Sequence, residues 1–380
     1  MKIGFDAKRI THNSTGLGNY CRTLVNELKQ CLTHDDQLLL YSPDKGRDEL
    51  RALVTEDRRT KYVFPKGLVF GFERALWRSE GIVKDLKHDD IDIYHGMTGE
   101  LPKGIHKSGI ATVVTIHDLI FMRHPEYYGK IDAWLYAKKF RRTCGEADHF
   151  IAISECTKRD IIQLGHVDER KISVIYQSCD PRYGTPLNEQ QLQAARLNCG
   201  LPKRYVLSVG TIEERKNIAL AVKALRMLPD DVHFVAVGRQ TRYAAQVLAL
   251  AEEMGIERRV HLLSGMSDEQ LQAIYQLAEV FVYPSRYEGF GIPIIEAIQC
   301  GLPVVAATGS CLEEAGGPDT LYVQPDDVEG MAQAIRKQIP GTEGREERIR
   351  RSREYVKRFE GNNVAQQVAA IYQKVYKMKR

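Results

Sequence analysis

Short, continuously apolar runs alternate with amphipathic segments along nearly the whole chain, and few folds accommodate that order. From Arg204 onward the runs fall at 205–209 (Tyr-Val-Leu-Ser-Val), 233–237, 260–263, 280–283, 303–307 and 321–323. Between them lie segments of helical periodicity at 218–228, at 243–254, after Ser267-Asp-Glu-Gln270 and after Pro293. Strands apolar on both faces and separated by helices are parallel strands covered on both sides, which predicts an α/β fold with a doubly wound parallel sheet. The N-terminal half repeats the pattern with runs at 2–6, 37–41, 61–64, 91–94, 112–116 and 150–153, and a helix over 18–32. A chain of 380 residues exceeds the size at which one core keeps growing, so two Rossmann-like domains of roughly 180 residues are expected. Periodicity breaks at Cys179-Asp-Pro-Arg-Tyr-Gly-Thr-Pro186, placing the domains at 1–180 and 200–358. In the last segment, 360–380, Val364, Val368, Ile371, Tyr372 and Val375 share one helical stripe that must pack against something.

Open parallel sheets bind ligands at the carboxyl ends of their strands, and two loops there carry chemistry. The first is Ser285-Arg-Tyr-Glu288-Gly-Phe-Gly291-Ile-Pro293-Ile-Ile-Glu296, between the runs at 280–283 and 303–307. Pro293 suits a first helical turn and Gly301 a helix end, so the loop opens a helix whose N-terminal amides and dipole favour phosphate. Glu288 and Glu296 can accept hydrogen bonds from sugar hydroxyls. Isolated glutamates in such places are ordinarily solvated or capping residues; the surrounding glycines favour a sugar joined to a phosphate. The second loop, Gly210-Thr-Ile-Glu-Glu-Arg215-Lys216-Asn217, sets two cations before a helix. That placement opposes the dipole and therefore points to an anion, a diphosphate whose departing charge Arg215 and Lys216 would stabilise.

In the N-terminal half, Gly16-Leu-Gly18 opens a helix and His117-Asp118 ends the run at 112–116. The glycines are candidate contacts to phosphate or sugar, and His117 a hydrogen-bonding group to donor or acceptor. Cys21 stands where a dinucleotide fingerprint needs a third glycine, so NAD is not inferred. Asp90-Ile-Asp92 has DxD spacing but precedes its strand, on the wrong edge for a ligand, and no other grouping has zinc or iron spacing; metal-free chemistry is expected. The formal charge of +4 is too small to argue for nucleic acid. Eight scattered cysteines without CxxC spacing read as reduced thiols, hence a cytoplasmic protein. The chain begins directly in a strand-like run, and no apolar stretch reaches membrane-spanning length. Residues 134–142, Trp-Leu-Tyr-Ala-Lys-Lys-Phe-Arg-Arg, mix aromatic and basic residues on one helix that could touch a membrane at its inner face, although a half-buried helix is the ordinary reading.

Taken together, Gly16-Leu-Gly18, His117-Asp118, Ala152-Ile-Ser-Glu155, Val209-Gly210 with Arg215-Lys216-Asn217, and Glu288-Gly-Phe-Gly291 through Glu296 resemble the family 4 retaining glycosyltransferases over nearly the whole chain. The resemblance implies a GT-B fold, with the final helix crossing back to the N-terminal domain. It assigns Arg215 and Lys216 to the donor diphosphate, Glu296 to the ribose, and Glu288 with the segment Gly289, Phe290, Gly291 and Ile292 to the donor sugar and distal phosphate. Gly18 would lie near the phosphates, Gly210 would contact the substrate, and His117 would face the sugar. The implied reaction retains anomeric configuration, uses no metal or other cofactor, and takes a nucleotide-diphosphate sugar, GDP-mannose by overall likeness, to a glycan or lipid-linked glycan acceptor of a surface polysaccharide. The alternatives are a nucleotide-sugar epimerase of the same shape and a non-catalytic nucleotide-sugar-binding scaffold. Two departures from the family stand out: Val174-Ile-Tyr-Gln-Ser-Cys-Asp180 replaces its usual hinge, and Phe359-Glu-Gly-Asn lacks an aromatic after the Phe.

Overall fold

The computed structural model describes residues 1–67, 70–360 and 364–379. They fall into two compact units, one formed by Met1–Tyr176 with the C-terminal helix and the other beginning at Gln177. In the first unit the strands are β1 (Lys2–Asp6), β2 (Gln37–Tyr41), β3 (Thr60–Val63), β4 (Ile93–Gly96), β5 (Ala111–Ile116), β6 (His149–Ala152) and β7 (Ile172–Val174). They pair in the order β3-β2-β1-β4-β5-β6-β7, every pair parallel. The second unit holds β8 (Arg204–Val209), β9 (Val232–Val237), β10 (Val260–Leu263), β11 (Val280–Tyr283), β12 (Val304–Ala307) and β13 (Leu321–Val323), in the parallel order β10-β9-β8-β11-β12-β13. Strand order reverses between β1 and β4 in one sheet and between β8 and β11 in the other. The carboxyl ends of the strands at such a reversal are where open parallel sheets bind their ligands.

Each sheet is buried on both faces, as its unbroken apolar strands require. In the first unit Ile3, Phe5, Val113 and Ile151 pack with Leu24, Val25 and Leu28 of the Gly16–Cys31 helix and with Val368 and Tyr372 of the Val364–Lys379 helix. The predicted stripe of the last helix, from Val364 through Val375, is thus buried in this core. The His95 imidazole fixes it further, with Nδ1 at 2.7 Å from the Tyr372 hydroxyl and Nε2 at 2.8 Å from Thr115 Oγ1. The opposite face gathers Tyr94, Val114, Phe150 and Phe140.

The boundary corrects one expectation. Residues 177–180, expected at the end of the first domain, and residues 181–199, expected to lie between the domains, belong to the second unit. The Glu189–Asn198 helix packs on the Asp268–Leu277 helix, and Gln272 Nε2 donates to the Arg182 and Thr185 carbonyls at 2.6 and 2.8 Å. A polar helix followed by Gly-Leu-Pro reads as a linker because its few apolar residues hide where they pack. Strand β7, three residues long, was too short to stand out as a run. Asp92 lies ahead of β4, where its carboxylate accepts the Lys2 amide at 2.8 Å, a structural duty at the amino edge.

Candidate active site

The second sheet places both chemistry-bearing loops at its switch point, one leaving β8 and the other leaving β11. Gly210 follows β8 at φ 142°, where a side chain is strained, and Gly238 lies so close that an added Cβ would sit 1.9 Å from the Gly210 carbonyl oxygen. The chain then makes a 3-10 turn, Glu214–Lys216. Asn217, at φ 54°, reverses it into the Ile218–Leu225 helix. The Asn217 side-chain amide donates to the carbonyls of Pro284 (3.2 Å) and Pro325 (2.7 Å), and the Arg286 amide donates to the Arg215 carbonyl at 2.9 Å. One backbone bond and the Asn217 side chain tie the two loops together, so the cations are held where the β11 loop turns.

Arg215 donates to the Tyr287 carbonyl at 2.6 Å and pairs with Glu288 at 2.8 Å and Glu213 at 2.6 Å. Lys216 Nζ meets the same Glu288 oxygen at 2.6 Å, donates to the Tyr283 hydroxyl at 2.6 Å and lies 4.8 Å from that ring's centre. The side chains of Arg215, Lys216 and Glu288 are 14, 13 and 11% exposed, so this is an ion cluster largely out of water. Burial alone would raise the Glu288 pKa, but Lys216 and Arg215 together hold it at about 2. Burial likewise opposes the Lys216 charge, and Glu288 more than offsets it. Two cations converge on one buried carboxylate, an arrangement ready to exchange that carboxylate for phosphate oxygens.

The turn after Glu288 is built for close packing. Cys311 Sγ donates to the Glu288 carbonyl at 3.1 Å and the Phe290 carbonyl at 2.6 Å, and Phe290 stacks edge-on with Phe359 at 5.4 Å. Gly291 adopts φ 135°, and Ile292 begins the helix that runs to Gln299, Pro293 in its first turn. Gly289 belongs to the same turn. Glu296 has other partners: its carboxylate accepts the Tyr275 hydroxyl at 2.7 Å, and burial raises its pKa to about 7. The structure therefore joins Glu288 to Arg215 and Lys216 and leaves Glu296 in a separate, buried setting under the Tyr275 hydroxyl.

In the first unit the predicted residues also gather at the carboxyl edge. His117, after β5, donates from Nε2 to the Met97 carbonyl at 2.9 Å and meets the Tyr20 ring edge-on at 4.7 Å. Burial lowers its pKa to about 4, so the imidazole is neutral at pH 7. Asp118 accepts the Ile120 amide at 3.1 Å. Both line a cavity of about 290 Å³ together with Arg9, Glu100, Phe121, Tyr128, Tyr136 and Lys139. The glycines differ. Gly18 has its amide 3.2 Å from Asn13 Oδ1, and an added Cβ would sit 1.9 Å from the Asn13 carbonyl oxygen, so packing accounts for it. Gly16 is exposed at the helix start with open space around it.

Tyr283 and Cys311 were not singled out from sequence. Tyr283 had a signal, as the last residue of a strand entering the active loop; Cys311 had none, because the Glu288 and Phe290 carbonyls it meets are remote in the chain.

Two parallel sheets of Rossmann type, each with polar residues at its carboxyl edge, make the GT-B architecture. The family model of glycosyl transferases group 1 matches residues 190–355 and that of glycosyltransferase family 4 matches residues 14–183, and the chain belongs to this glycosyltransferase family. Among curated relatives it is 27% identical to O-antigen chain mannosyltransferase B of Escherichia coli, over 98% of this chain and 99% of the relative. Its fold matches sucrose-phosphate synthase of Thermosynechococcus elongatus with a TM-score of 0.77 at 19% identity, covering 100% of both chains. It also matches Anabaena HepE in complex with UDP-glucose, with a TM-score of 0.73 at 17% identity, covering 98% of this chain and 100% of that one.

Proposed function

We propose that this chain transfers mannose from GDP-mannose to a glycan or lipid-linked glycan in the assembly of a surface polysaccharide, with retention of anomeric configuration and without a metal. The observation that carries the reading is the buried Arg215–Lys216–Glu288 cluster at the switch point of the second sheet. Arg215 and Lys216 bind the diphosphate, and their charge counts most when the glycosidic bond breaks and negative charge builds on the leaving phosphate. Glu288, freed from part of its ion pairing by the phosphate, accepts hydrogen bonds from the sugar. The Glu296 carboxylate takes the ribose hydroxyls. His117, neutral at working pH and with its one N–H given to the Met97 carbonyl, accepts a hydrogen bond from a sugar hydroxyl at Nδ1.

Kinship with an O-antigen mannosyltransferase along the full length supports mannose and the polysaccharide setting. Among the described residues no helix is long and apolar enough to cross a membrane, which accords with an enzyme working in the cytoplasm against a membrane-borne acceptor. The test is release of nucleotide from a panel of GDP-, UDP- and dTDP-sugars with and without mannose-terminated acceptors. GDP release from GDP-mannose, with an α-linked product, is expected. Conversion of the donor sugar without acceptor would make it an epimerase, and binding without turnover a scaffold.

A further inference from the structure

Lys216 stands at the centre of the buried cluster with a tyrosine at its tip. Its ammonium has three hydrogens to give. One goes to Glu288 and one to the Tyr283 hydroxyl, both at 2.6 Å, and the third has no acceptor among the described residues. The stem of Lys216 is held as well. Gly210 carries no side chain, and an added Cβ there would meet Lys216 Cε at 3.5 Å, so the lysine crosses bare backbone to reach this point.

Tyr283 is the last residue of β11, and its neighbours fix it. Phe281, two residues back along the strand, stacks on the ring with centroids 5.8 Å apart and planes 21° from parallel. Behind Phe281 the ring of Tyr275 follows at 5.6 Å. Past the strand end the Pro284 carbonyl accepts the Asn217 side-chain amide, which ties Tyr283 to the loop carrying Lys216. Lys216 Nζ lies 4.8 Å from the ring centre, so ring and hydroxyl both meet the cation. The residue is 3% exposed. Burial, together with the Glu288 charge, pushes the pKa of its hydroxyl up to about 12, so it keeps its proton at working pH.

That proton has no use within the protein. Lys216 occupies the hydroxyl oxygen as an acceptor, so the hydrogen points elsewhere, and no described residue accepts it. Buried donors are ordinarily satisfied, and the acceptors that suit this place are the oxygens of a diphosphate. An O–H whose oxygen accepts from an ammonium is polarised by it and donates more strongly. We infer that Tyr283 is a catalytic residue of the diphosphate site, giving its hydroxyl hydrogen to a phosphate oxygen beside the one that Lys216 holds. The inference rests on the glycosyl-transfer reading and adds a group to it. With Glu288 displaced, Arg215, Lys216 and Tyr283 face the same leaving phosphate. When the glycosidic bond breaks, its electron pair goes to the bridging oxygen and the distal phosphate gains one negative charge. Tyr283 keeps its proton throughout. Its hydrogen bond strengthens as that charge grows, so it contributes more in the transition state than in the bound donor.

Tyr283→Phe keeps the ring, its stacking and the cation over its face, and removes the hydroxyl alone. In calorimetric titrations of the full chain without divalent metal, pyrophosphate should bind Tyr283→Phe about tenfold more weakly than the parent, because a hydrogen bond to a charged group is lost. In turnover with the donor that the nucleotide-sugar panel identifies, kcat should fall about 10²-fold while the donor KM changes less than about threefold. A second variant carries difluorotyrosine at position 283, introduced by amber suppression, with nearly the same size and a more acidic phenol. A hydrogen-bond donor must hold its proton, so this variant should keep the parent's kcat at pH 7 and lose it on the alkaline side at a lower pH than the parent. A tyrosine that only packs would not move that limb. The same variant keeps the test open should Tyr283→Phe fail to fold. Equal pyrophosphate affinity in parent and Tyr283→Phe would overturn the inference, as would an alkaline limb that stays in place in the fluorinated protein. Pyrophosphate binding needs no sugar, base or acceptor, so failure of the inference and failure of the donor panel are read separately.

Discussion

Glu288→Gln tests the buried cluster most directly, because it removes one charge and little volume. The carboxyl is held at a pKa of about 2 against an ordinary 4.5, burial being outweighed by Lys216 and Arg215. At 1.36 kcal/mol per pH unit the difference amounts to roughly 3 kcal/mol of stability at neutral pH. A depressed carboxylate contributes that stability above pH 4.5 and loses it as pH falls towards 2, so the parent protein should lose stability through this window and the variant should not lose this share. At neutral pH the variant leaves two adjacent buried cations without their shared anion. For a unit of this size, roughly 3 kcal/mol lowers the melting temperature by about 6–12 °C. Calorimetry of the full chain, which separates the transitions of the two units, provides the measurement. Pyrophosphate should raise the variant's transition more than the parent's, since phosphate oxygens replace the missing carboxylate. An unchanged transition, or recovery no greater than in the parent, would refute the account of the cluster.

Lys216→Ala should lower kcat by about 10²–10³-fold, with little change in acceptor KM, measured by initial rates. Glu296, its pKa raised to about 7, imposes a folding penalty that sets in as pH rises from 4.5 through 7; Glu296→Gln should therefore raise the melting temperature at pH 8 and leave it unchanged at pH 4, while weakening donor binding by calorimetric titration. Gly238→Ala forces a Cβ onto the Gly210 carbonyl and should lower both melting temperature and kcat, whereas Gly16→Ala, with open space around it, should leave both within error. Tyr372→Phe strands the buried His95 Nδ1 and should cost about 1–3 kcal/mol, seen as faster proteolytic release of the C-terminal helix.

Fold class, two-domain organisation and the position of most strands were legible because strand and helix periods are local properties of the chain. The apolar runs from 205 to 323 each became a strand of the second sheet, and the helix expected after Ser267-Asp-Glu-Gln270 starts there, Ser267 and Gln270 closing a capping box. The two loops of the site were legible for a related reason: glycine, proline and adjacent cations declare backbone and charge conflicts that local structure alone cannot resolve.

What required the tertiary structure is which of those groups meet. Eight residues separate Glu288 from Glu296, and the chain does not reveal that one is charged between Arg215 and Lys216 while the other, under Tyr275, titrates near pH 7. Nor does it reveal that Gly18 answers to Asn13, or that helices some sixty residues apart in sequence enclose a basic groove beside the His117 cavity. Periodicity depends on neighbours in sequence and survives in the linear code. Charge state, close approach and cavity shape depend on neighbours in space, which only the order of strands at each switch point brings together.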